Sequence, residues 1–336
     1  MARVAAWKFT AVIIINPMNT FALPDASLWQ GATPLSQLAP ILAEGPDAAS
    51  FLHGQLSQDV LLLPEGQARH AAYCSVKGRM LADFLMFKAG PDQILLLLDA
   101  EVLPATLKRL SMFVMRAKAK LSDASAPWAV LGGVGASTLT AFGGTAAQEP
   151  HSVRPGAHGG WVVRLPEVLG AVRSLWVRPR EASDGLLAAL PSLPDQVWSW
   201  LEVMSGVARI QLPTVDQFVP QMINFEVIGG VNFKKGCYPG QEIVARSQYR
   251  GTLKRRLHLA HCNALASVGQ EVFSADDPGQ PAGLVANAAP IPGGQGCSVL
   301  MEPKLAHAGS ALSLGAPDGP SLSVDALPYE IPPQDA

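Results

Sequence analysis

Short apolar runs separated by turn-forming residues are the feature that most limits what this chain can fold into. Residues 94–98 form one of the longest of these runs, and it has the length of a single β-strand. A membrane helix needs roughly 20 consecutive apolar residues, so no such helix is predicted. The chain has 336 residues, 49% of them hydrophobic, which is enough for two or three packed units. We therefore expect a soluble protein with several compact units.

The charge and the cysteines narrow the class of protein. A formal net charge of −2 argues against a surface built for nucleic acid or anionic lipid, so direct binding to either is not expected. The cysteines are widely spaced and form no C-x-x-C pair: Cys74, Cys237, Cys262 and Cys297. This spacing predicts neither a disulfide scaffold nor a zinc or cluster-ligating run, and it favours a reducing compartment.

The N-terminal segment is interpreted as a start region and not as a signal peptide. Its apolar run, residues 11–15, follows Lys8, but it is too short for secretion and no small-residue cleavage site follows. Met18 stands just beyond this run, so residues 1–19 are interpreted as disordered or as an over-extended translation start. We expect a cytoplasmic bacterial protein.

The first folded unit is predicted over residues 20–126 as an α+β lobe. Strand-like runs at residues 71–76 and 80–87 flank a short segment, residues 77–79, that suits a hairpin turn. Apolar residues at helical spacing between residues 103 and 114 predict a helix that packs on this sheet.

Two further units are predicted after the first. Residues 127–252 are interpreted as a second α+β lobe, with a helix at residues 195–204 that ends before Gly206. In residues 253–327, short apolar runs alternate with Gly, Pro and Asp, which indicates a small β-barrel. The tail, residues 328–336, is expected to be disordered.

The most informative segment surrounds Cys237. Gly236 and Gly240 permit tight or positive-φ backbone, so the loop is expected to present the cysteine. Lys234 and Lys235 lie beside it in the sequence, and positive charge near a sulfur stabilises the thiolate over the thiol. The alternative is a buried structural cysteine in a glycine-rich turn.

This segment carries a resemblance to a known family. Residues 235–242 read K-G-C-Y-P-G-Q-E, which resembles the K-G-C-[YF]-x-G-Q-E signature of the YgfZ family. That family comprises folate-binding relatives of the glycine-cleavage T-protein, and its eukaryotic relatives are mitochondrial iron-sulfur assembly factors. Residues 51–60, 75–79 and 218–224 are similar to further segments of the family, in the expected order.

The resemblance implies a fold, a cofactor and a working residue. The implied fold is α+β and T-protein-like, with two α+β lobes and a small C-terminal β-barrel around a central channel. The implied cofactor is tetrahydrofolate or another reduced folate, and a transient iron-sulfur cluster is a further candidate. Cys237 is the implied catalytic residue, and its functional motif comprises its neighbours in the loop: Lys235, Gly236, Tyr238, Gly240, Gln241, Glu242 and Arg246.

The resemblance also suggests folate contacts. Trp198 occupies a position where family members often carry a Trp that lies against folate, and an indole can stack on a pterin or benzoyl ring. The alternative is a core Trp on an amphipathic helix, because Trp200 shares that helix. Gln221 and Asn224 are the other residues assigned to the cofactor site. Met204 stands where T-proteins carry a Glu that can hydrogen-bond the pterin.

Three functions are weighed from the sequence. The leading hypothesis is a folate-binding accessory factor that assembles or repairs iron-sulfur clusters in client enzymes, including those that modify tRNA. Its expected partners are iron-sulfur client enzymes or assembly proteins. The alternative is a tetrahydrofolate-dependent aminomethyl or one-carbon transferase, and the third hypothesis is a module that only carries folate or a client. The sequence leaves open whether Cys237 coordinates a transient cluster, resolves a disulfide or attacks an electrophile.

The sequence predicts a difference in reactivity among the four thiols. Cys237 should be alkylated fastest by a mild reagent at neutral pH, because it alone combines a glycine-flanked loop with adjacent lysines. Mass spectrometry of peptides from briefly labelled, folded protein measures this directly. First labelling at Cys74, Cys262 or Cys297 would reject the activated-thiol hypothesis.

Overall fold

The structure is a computed structural model, and it describes residues 24, 29–145, 147–181, 188–249, 253–307 and 309–332. The predicted start region, residues 1–19, lies outside the described residues. The described chain forms two five-stranded sheets and a closed six-stranded barrel. None of the described helices is long and apolar enough to cross a membrane.

The elements of the described chain are numbered in chain order. The strands are β1 (Gly31–Pro34), β2 (Leu38–Glu44), β3 (Ala68–Cys74), β4 (Met80–Gly90), β5 (Gln93–Asp99), β6 (Lys120–Asp123), β7 (Trp128–Val134), β8 (Val153–Pro155), β9 (Trp161–Val168), β10 (Ala171–Pro179), β11 (His258–Cys262), β12 (Glu271–Ser274), β13 (Gly283–Pro290), β14 (Cys297–Met301), β15 (Leu312–Leu314) and β16 (Ser321–Asp325). The helices are α1 (Ala48–His53), α2 (Leu103–Val114), α3 (Ala136–Phe142), α4 (Asp195–Met204) and α5 (Gln241–Tyr249).

The first sheet is antiparallel, with the strand order β3-β4-β5-β2-β6, and its strands β4 and β5 are buried on both faces. Successive side chains of a strand point to opposite faces, so the two faces of β5 belong to different cores. Leu96 and its alternate neighbours pack with α1 and α2, whereas Leu95 and Leu97 pack in the core that this sheet shares with the second sheet. The apolar run in β5 is therefore continuous because neither face of the strand meets water.

The second sheet has the order β1-β7-β10-β9-β8, and α3 packs on its outer face. Its first strand comes from the part of the chain assigned to the N-terminal lobe, since Gly31 pairs with Val134 and Pro34 with Leu131. The predicted boundary at residue 126 therefore does not separate the two sheets. A glycine is required at the start of β1, because a Cβ on Gly31 would lie 2.1 Å from the carbonyl oxygen of Pro191.

The core between the sheets also contains α4, which joins the lobes to the barrel. This helix confirms the prediction for residues 195–204, and Gly206, at φ 70°, follows its end. Its buried apolar side chains reach the inner faces of the sheets and strands β13 and β14. Trp200 Nε1 donates a hydrogen bond of 2.8 Å to Ser298 Oγ on β14, which ties the helix to the barrel.

The predicted C-terminal β-barrel is confirmed. It closes in the order β11-β14-β13-β12-β15-β16, and its strands lie within the predicted range, residues 253–327. Cys262 and Cys297 face each other in register on β11 and β14, and both are buried free thiols.

The prediction of a disordered tail is wrong for the first residues after 327. The hydroxyl of Tyr329 donates to the carbonyl oxygen of Gly206 at 2.8 Å, and Nδ2 of Asn224 lies 3.4 Å from the same hydroxyl. The ring packs where a side chain at residue 206 would otherwise lie, because a Cβ there would be 2.8 Å from the ring. The tail is thus fixed by a buried aromatic residue, a contact that local composition does not reveal. Residues 333–336 lie outside the described residues.

This contact predicts that Tyr329→Phe destabilises the protein. The variant keeps the ring but removes the hydroxyl bonded to Gly206, so the free energy of unfolding should fall by about 1 kcal/mol. Urea denaturation followed by circular dichroism measures the change. Tyr249→Phe is the matched control, because Tyr249 is 69% exposed and a surface change of this kind alters stability by about 0.5 kcal/mol at most. Equal midpoints for the two variants would contradict the assignment.

Candidate functional site

A cavity of about 820 Å³ lies between the lobes. Its walls come from β3 and β4, from β9 and β10, from the end of α4 and from residues 228–234. Apolar side chains share the lining with charged side chains and with two histidine rings. The residues that line the cavity include Arg69, His70, Leu85, His151, Leu165, Arg173, Glu202, Arg209, Phe233 and Lys234.

A buried charge cluster forms one wall of the cavity. Glu202 accepts hydrogen bonds from Arg173 and, at 2.9 Å, from Nε of Arg209. Burial would raise the pKa of Glu202, but the attraction of Arg209 and Arg173 outweighs it and holds that pKa below its usual value. Arg209 is also attracted by the buried carboxyl of Asp83, so the two arginines are shared between two acidic groups. Sequence reasoning missed this cluster, although Glu202 lies one helical turn after the predicted Trp198.

Two histidines form a second polar feature of the wall. The rings of His70 and His151 meet edge to face, with centroids 5.3 Å apart. Burial lowers the pKa of His70 well below its usual value, and burial lowers the pKa of His151 to about 4. Both rings are consequently neutral at neutral pH, and each offers one donor and one acceptor nitrogen.

The cysteine loop, residues 231–240, runs from the cavity to the surface. Its first residues, 231–234, line the cavity. Lys235 then turns inward, where its ammonium group donates to the carbonyl oxygens of His53 and, at 2.9 Å, of Leu56. Cys237 is exposed two residues later. The loop thus presents the thiol to solvent, while Lys235 fixes the loop to the end of α1.

The remaining cysteines lie in different surroundings from Cys237. Cys74, Cys262 and Cys297 are buried. Burial raises the pKa of Cys74 to about 12 and that of Cys297 to about 11, so these thiols stay protonated at neutral pH. Among the described residues, no group of three or more His, Cys, Asp or Glu side chains could hold a metal ion.

The predicted hairpin turn at residues 77–79 supports the end of the cysteine loop. Gly78 and Gly240 both have positive φ, and a Cβ on Gly240 would lie 2.7 Å from the backbone nitrogen of Gly78. Helix α5 follows with Gln241, and its Glu242 and Arg246 form an exposed i,i+4 ion pair of 2.9 Å. The structure therefore keeps the predicted motif together in space, with Lys235 and Tyr238 directed inward and Cys237 outward.

The residues predicted to contact folate lie behind the cavity wall. Trp198 is 1% exposed, and the guanidinium of Arg173 lies 5.0 Å from its ring centroid, between the indole and the cavity. Gln221 donates to the carbonyl oxygen of Val244 at 2.8 Å. Asn224 donates to that of Leu257 at 3.2 Å. In this conformation the three side chains support the wall, α5 and the barrel, and none of them lines the cavity.

Comparison with solved structures defines the class of fold. The structure matches glycine cleavage system aminomethyltransferase T from Bartonella henselae with a TM-score of 0.69 and 18% sequence identity. The match covers 89% of this chain and 86% of that one. The predicted T-protein-like α+β fold is therefore confirmed.

Comparison with curated proteins defines the family. The chain is 34% identical over 241 residues to the tRNA-modifying protein YgfZ of Edwardsiella ictaluri (strain 93-146), which covers 66% of this chain and 68% of the relative. It is 31% identical to the tRNA-modifying protein YgfZ of Sodalis glossinidius (strain morsitans), over 70% of this chain and 73% of the relative. A search of protein-family models gave no match. The chain belongs to the YgfZ family.

The neutral histidines predict how stability depends on pH. Between pH 6.5 and about 4 the unfolded chain binds a proton at residue 151 that the folded chain excludes. Above pH 6.5 the His151 ring is neutral in both states, so it does not reduce the free energy of unfolding. That free energy falls as the pH drops from 6.5 toward 4, because only the unfolded chain then binds the proton. His151→Asn should reduce this loss by about 1.4 kcal/mol per pH unit within the window, and Asn tolerates the positive φ of 64° at this position.

Urea denaturation at several pH values measures this slope. His158→Asn is the control, because it removes an exposed histidine outside the cavity wall and should leave the slope unchanged. His70 still contributes to the pH dependence of the free energy of unfolding in both variants. An identical slope in His151→Asn and the wild type would contradict the exclusion of the proton.

Proposed function

We propose that this chain is a folate-binding accessory factor for the assembly or repair of iron-sulfur clusters in client enzymes, including tRNA-modifying ones. The course of the cysteine loop is the observation that carries this proposal. Residues 231–234 line the cavity, whereas Cys237 is exposed and does not line it. The cavity can bind a small molecule while the thiol, at the other end of the same loop, can reach a second protein.

The cavity fits a reduced folate in size and in chemistry. About 820 Å³ is within the range of roughly 300–1,000 Å³ typical of small-molecule sites. Leu85, Leu165 and Phe233 offer apolar surface to a pterin or benzoyl ring. The rings of His70 and His151, neutral at neutral pH, also line the cavity and add uncharged polar surface.

Cationic groups of the cavity suit the glutamate tail of folate. The lining holds four cationic side chains and three acidic ones, and one of the acidic ones, Glu167, is paired with Arg164: the cationic set is Arg69, Arg173, Arg209 and Lys234. Guanidinium groups bind carboxylates through paired, charge-assisted hydrogen bonds. A bound reduced folate would supply a carrier for one-carbon units. Trp198, Gln221 and Asn224 would support this site from behind the wall.

The relatives extend the proposal to the kind of client. Two of them are named tRNA-modifying proteins, so enzymes that modify tRNA are the clients we propose. The iron-sulfur cluster is cargo that belongs to the client, and Cys237 acts on it or on the client's sulfur. Four free cysteines, two of them facing each other on β11 and β14, suit the reducing cytoplasm of a bacterium.

A tetrahydrofolate-dependent aminomethyl or one-carbon transferase is the second candidate function. The fold match to an aminomethyltransferase favours it. A transferase must bring its working group to the one-carbon unit of the bound folate, which would lie inside the cavity. The position of Cys237 outside the cavity favours the accessory factor instead, because the thiol does not meet the proposed ligand.

The proposal predicts that Cys237→Ser accumulates normally but fails to restore iron-sulfur enzyme activity in cells that lack the native protein. Serine keeps the size and hydrogen bonding of cysteine but offers no thiolate, so the fold and the folate site should survive. Cys297→Ala is the control, because it removes a buried thiol and retains Cys237. Client activities are measured in extracts, most informatively after oxidative stress.

Two assays on purified protein separate the alternatives. Tetrahydrofolate should bind equally well to the wild type and to Cys237→Ser, and absence of binding to the wild type would reject the folate site. Robust aminomethyl transfer from a lipoyl-bound donor to tetrahydrofolate would establish the transferase. Full complementation by Cys237→Ser would show that Cys237 is not the working group.

A further inference from the structure

The outer side of helix α2 carries an apolar cluster that stays exposed in the described chain. Met112, Phe113 and Met115 stand close together in the sequence, and all three are exposed, Met112 by 60% and Met115 by 85%. The other side of the helix, with Leu103 and Leu110, packs on the first sheet. Single exposed apolar side chains are common on soluble proteins, whereas a group of large ones at one place marks a contact surface.

The cluster continues along α2 as a stripe with cationic side chains. Side chains three or four residues apart are neighbours on a helix, so Lys108 lies beside Met112 and Arg109 beside Phe113. The guanidinium of Arg109 lies 5.9 Å from the ring centroid of Phe113. The exposed apolar surface is therefore bordered by positive charge.

Met115 ends the stripe in a backbone conformation that glycine favours. It follows the last residue of α2, and its φ is 44°. Side chains other than glycine are uncommon at such angles, and residues held there concentrate at functional positions. A glycine would end the helix with less strain, but it would remove the most exposed apolar side chain of the stripe.

The charge around the stripe has one sign. All the charged residues between positions 102 and 122 are cationic: Lys108, Arg109, Arg116, Lys118 and Lys120. Acidic residues of other elements approach the last two of these, since Glu44 lies opposite Lys120 in the β2–β6 pairing and Asp47 accepts a hydrogen bond from the backbone N–H of Lys118. Lys108 and Arg116 are exposed and form no ion pair with any described residue.

We propose that this surface, the α2 patch, binds an acidic amphipathic helix of a partner protein. The patch comprises the apolar cluster and its cationic border: Met112, Phe113, Met115, Lys108, Arg109 and Arg116. A stripe that runs along one helix fits a second helix laid beside it, with the apolar face of the partner on the cluster and its carboxylates on the border. Methionine suits this role because its unbranched side chain adapts to different shapes. The inference goes beyond the proposed function, since it involves neither the cavity nor Cys237.

Other occupants match the α2 patch less well. Residues 1–23 of the chain carry Arg3 and Lys8 and no acidic residue, so they do not complement its charge. RNA would match the cations. Its bases, however, are bound by aromatic rings and guanidinium planes, whereas two of the three exposed apolar side chains here are methionines.

A labelled peptide tests the α2 patch on the full chain. The probe is a fluorescein-labelled helix of about 18 residues, or five turns, with leucines on one face and glutamates on the other. Fluorescence anisotropy should show saturable binding at physiological salt. Met112→Ser should weaken binding by about tenfold because it removes an apolar anchor, and Arg116→Glu should weaken it because a like charge then faces the glutamates. Leu265→Ser is the matched control, because it removes a leucine that is 72% exposed on the barrel and should leave the affinity unchanged.

Each outcome decides the proposal. The expected pattern, weaker binding in Met112→Ser and Arg116→Glu but not in Leu265→Ser, supports it. Absence of binding to the wild type overturns it, and so does an unchanged affinity in Met112→Ser. Equal affinity for a peptide whose leucines are replaced by serines, or for an oligouridine of the same charge, also overturns it, because the surface would then recognise charge alone.

Sedimentation velocity tests whether a second copy of the chain covers the α2 patch. A wild-type dimer that Met112→Ser dissociates would overturn the proposal, since the patch would then serve self-association. A wild type that sediments as a monomer leaves the patch open to a partner and supports it. Circular dichroism and the urea midpoint verify that the variants are folded.

Discussion

Burial of both faces of β4 and β5 is the constraint on which the rest of the structure depends. Alternate residues of these strands are apolar toward the helices and apolar toward the second sheet, so neither face can be left to water. Helices α1 and α2 cover one face. The other face requires a second layer, which the inner face of the β7-β10-β9 sheet and α4 provide. The lobes are held together mainly by this shared core.

The cavity is the part of the interface where charged residues interrupt that core. Removing Glu202 from water is costly unless its charge is matched, and two arginines match it. Arg173 in turn lies over the indole of Trp198, so the charge cluster rests on the apolar core beneath it. This arrangement places charged groups at the wall without exposing the core.

The cysteine loop obtains its direction from a buried ammonium group. Lys235 is 9% exposed and donates to two carbonyl oxygens at the end of α1, while its Nζ lies 4.8 Å from the ring centroid of Tyr238. Because residues 235 and 238 are directed inward, Cys237 between them is left at the surface. The same contact places His53 beside Gly236, the residue before the cysteine. One buried lysine thus anchors the part of the loop from which the sulfur reaches the surface.

The sequence by itself determined the elements and the family. Strand-length apolar runs, helical spacing and the K-G-C-Y-P-G-Q-E segment are local patterns, and local patterns were sufficient for α4, for the barrel and for the membership of the YgfZ family. Only the tertiary structure decided which distant segments meet. The pairing of Gly31 with Val134, the contact of Tyr329 with Gly206, the Arg173–Glu202–Arg209 cluster and the approach of His53 to the cysteine loop each join residues far apart in the chain or on different elements. Such contacts depend on how apolar faces stack and how buried charges find partners, and these are properties of the whole packed chain that no short segment encodes.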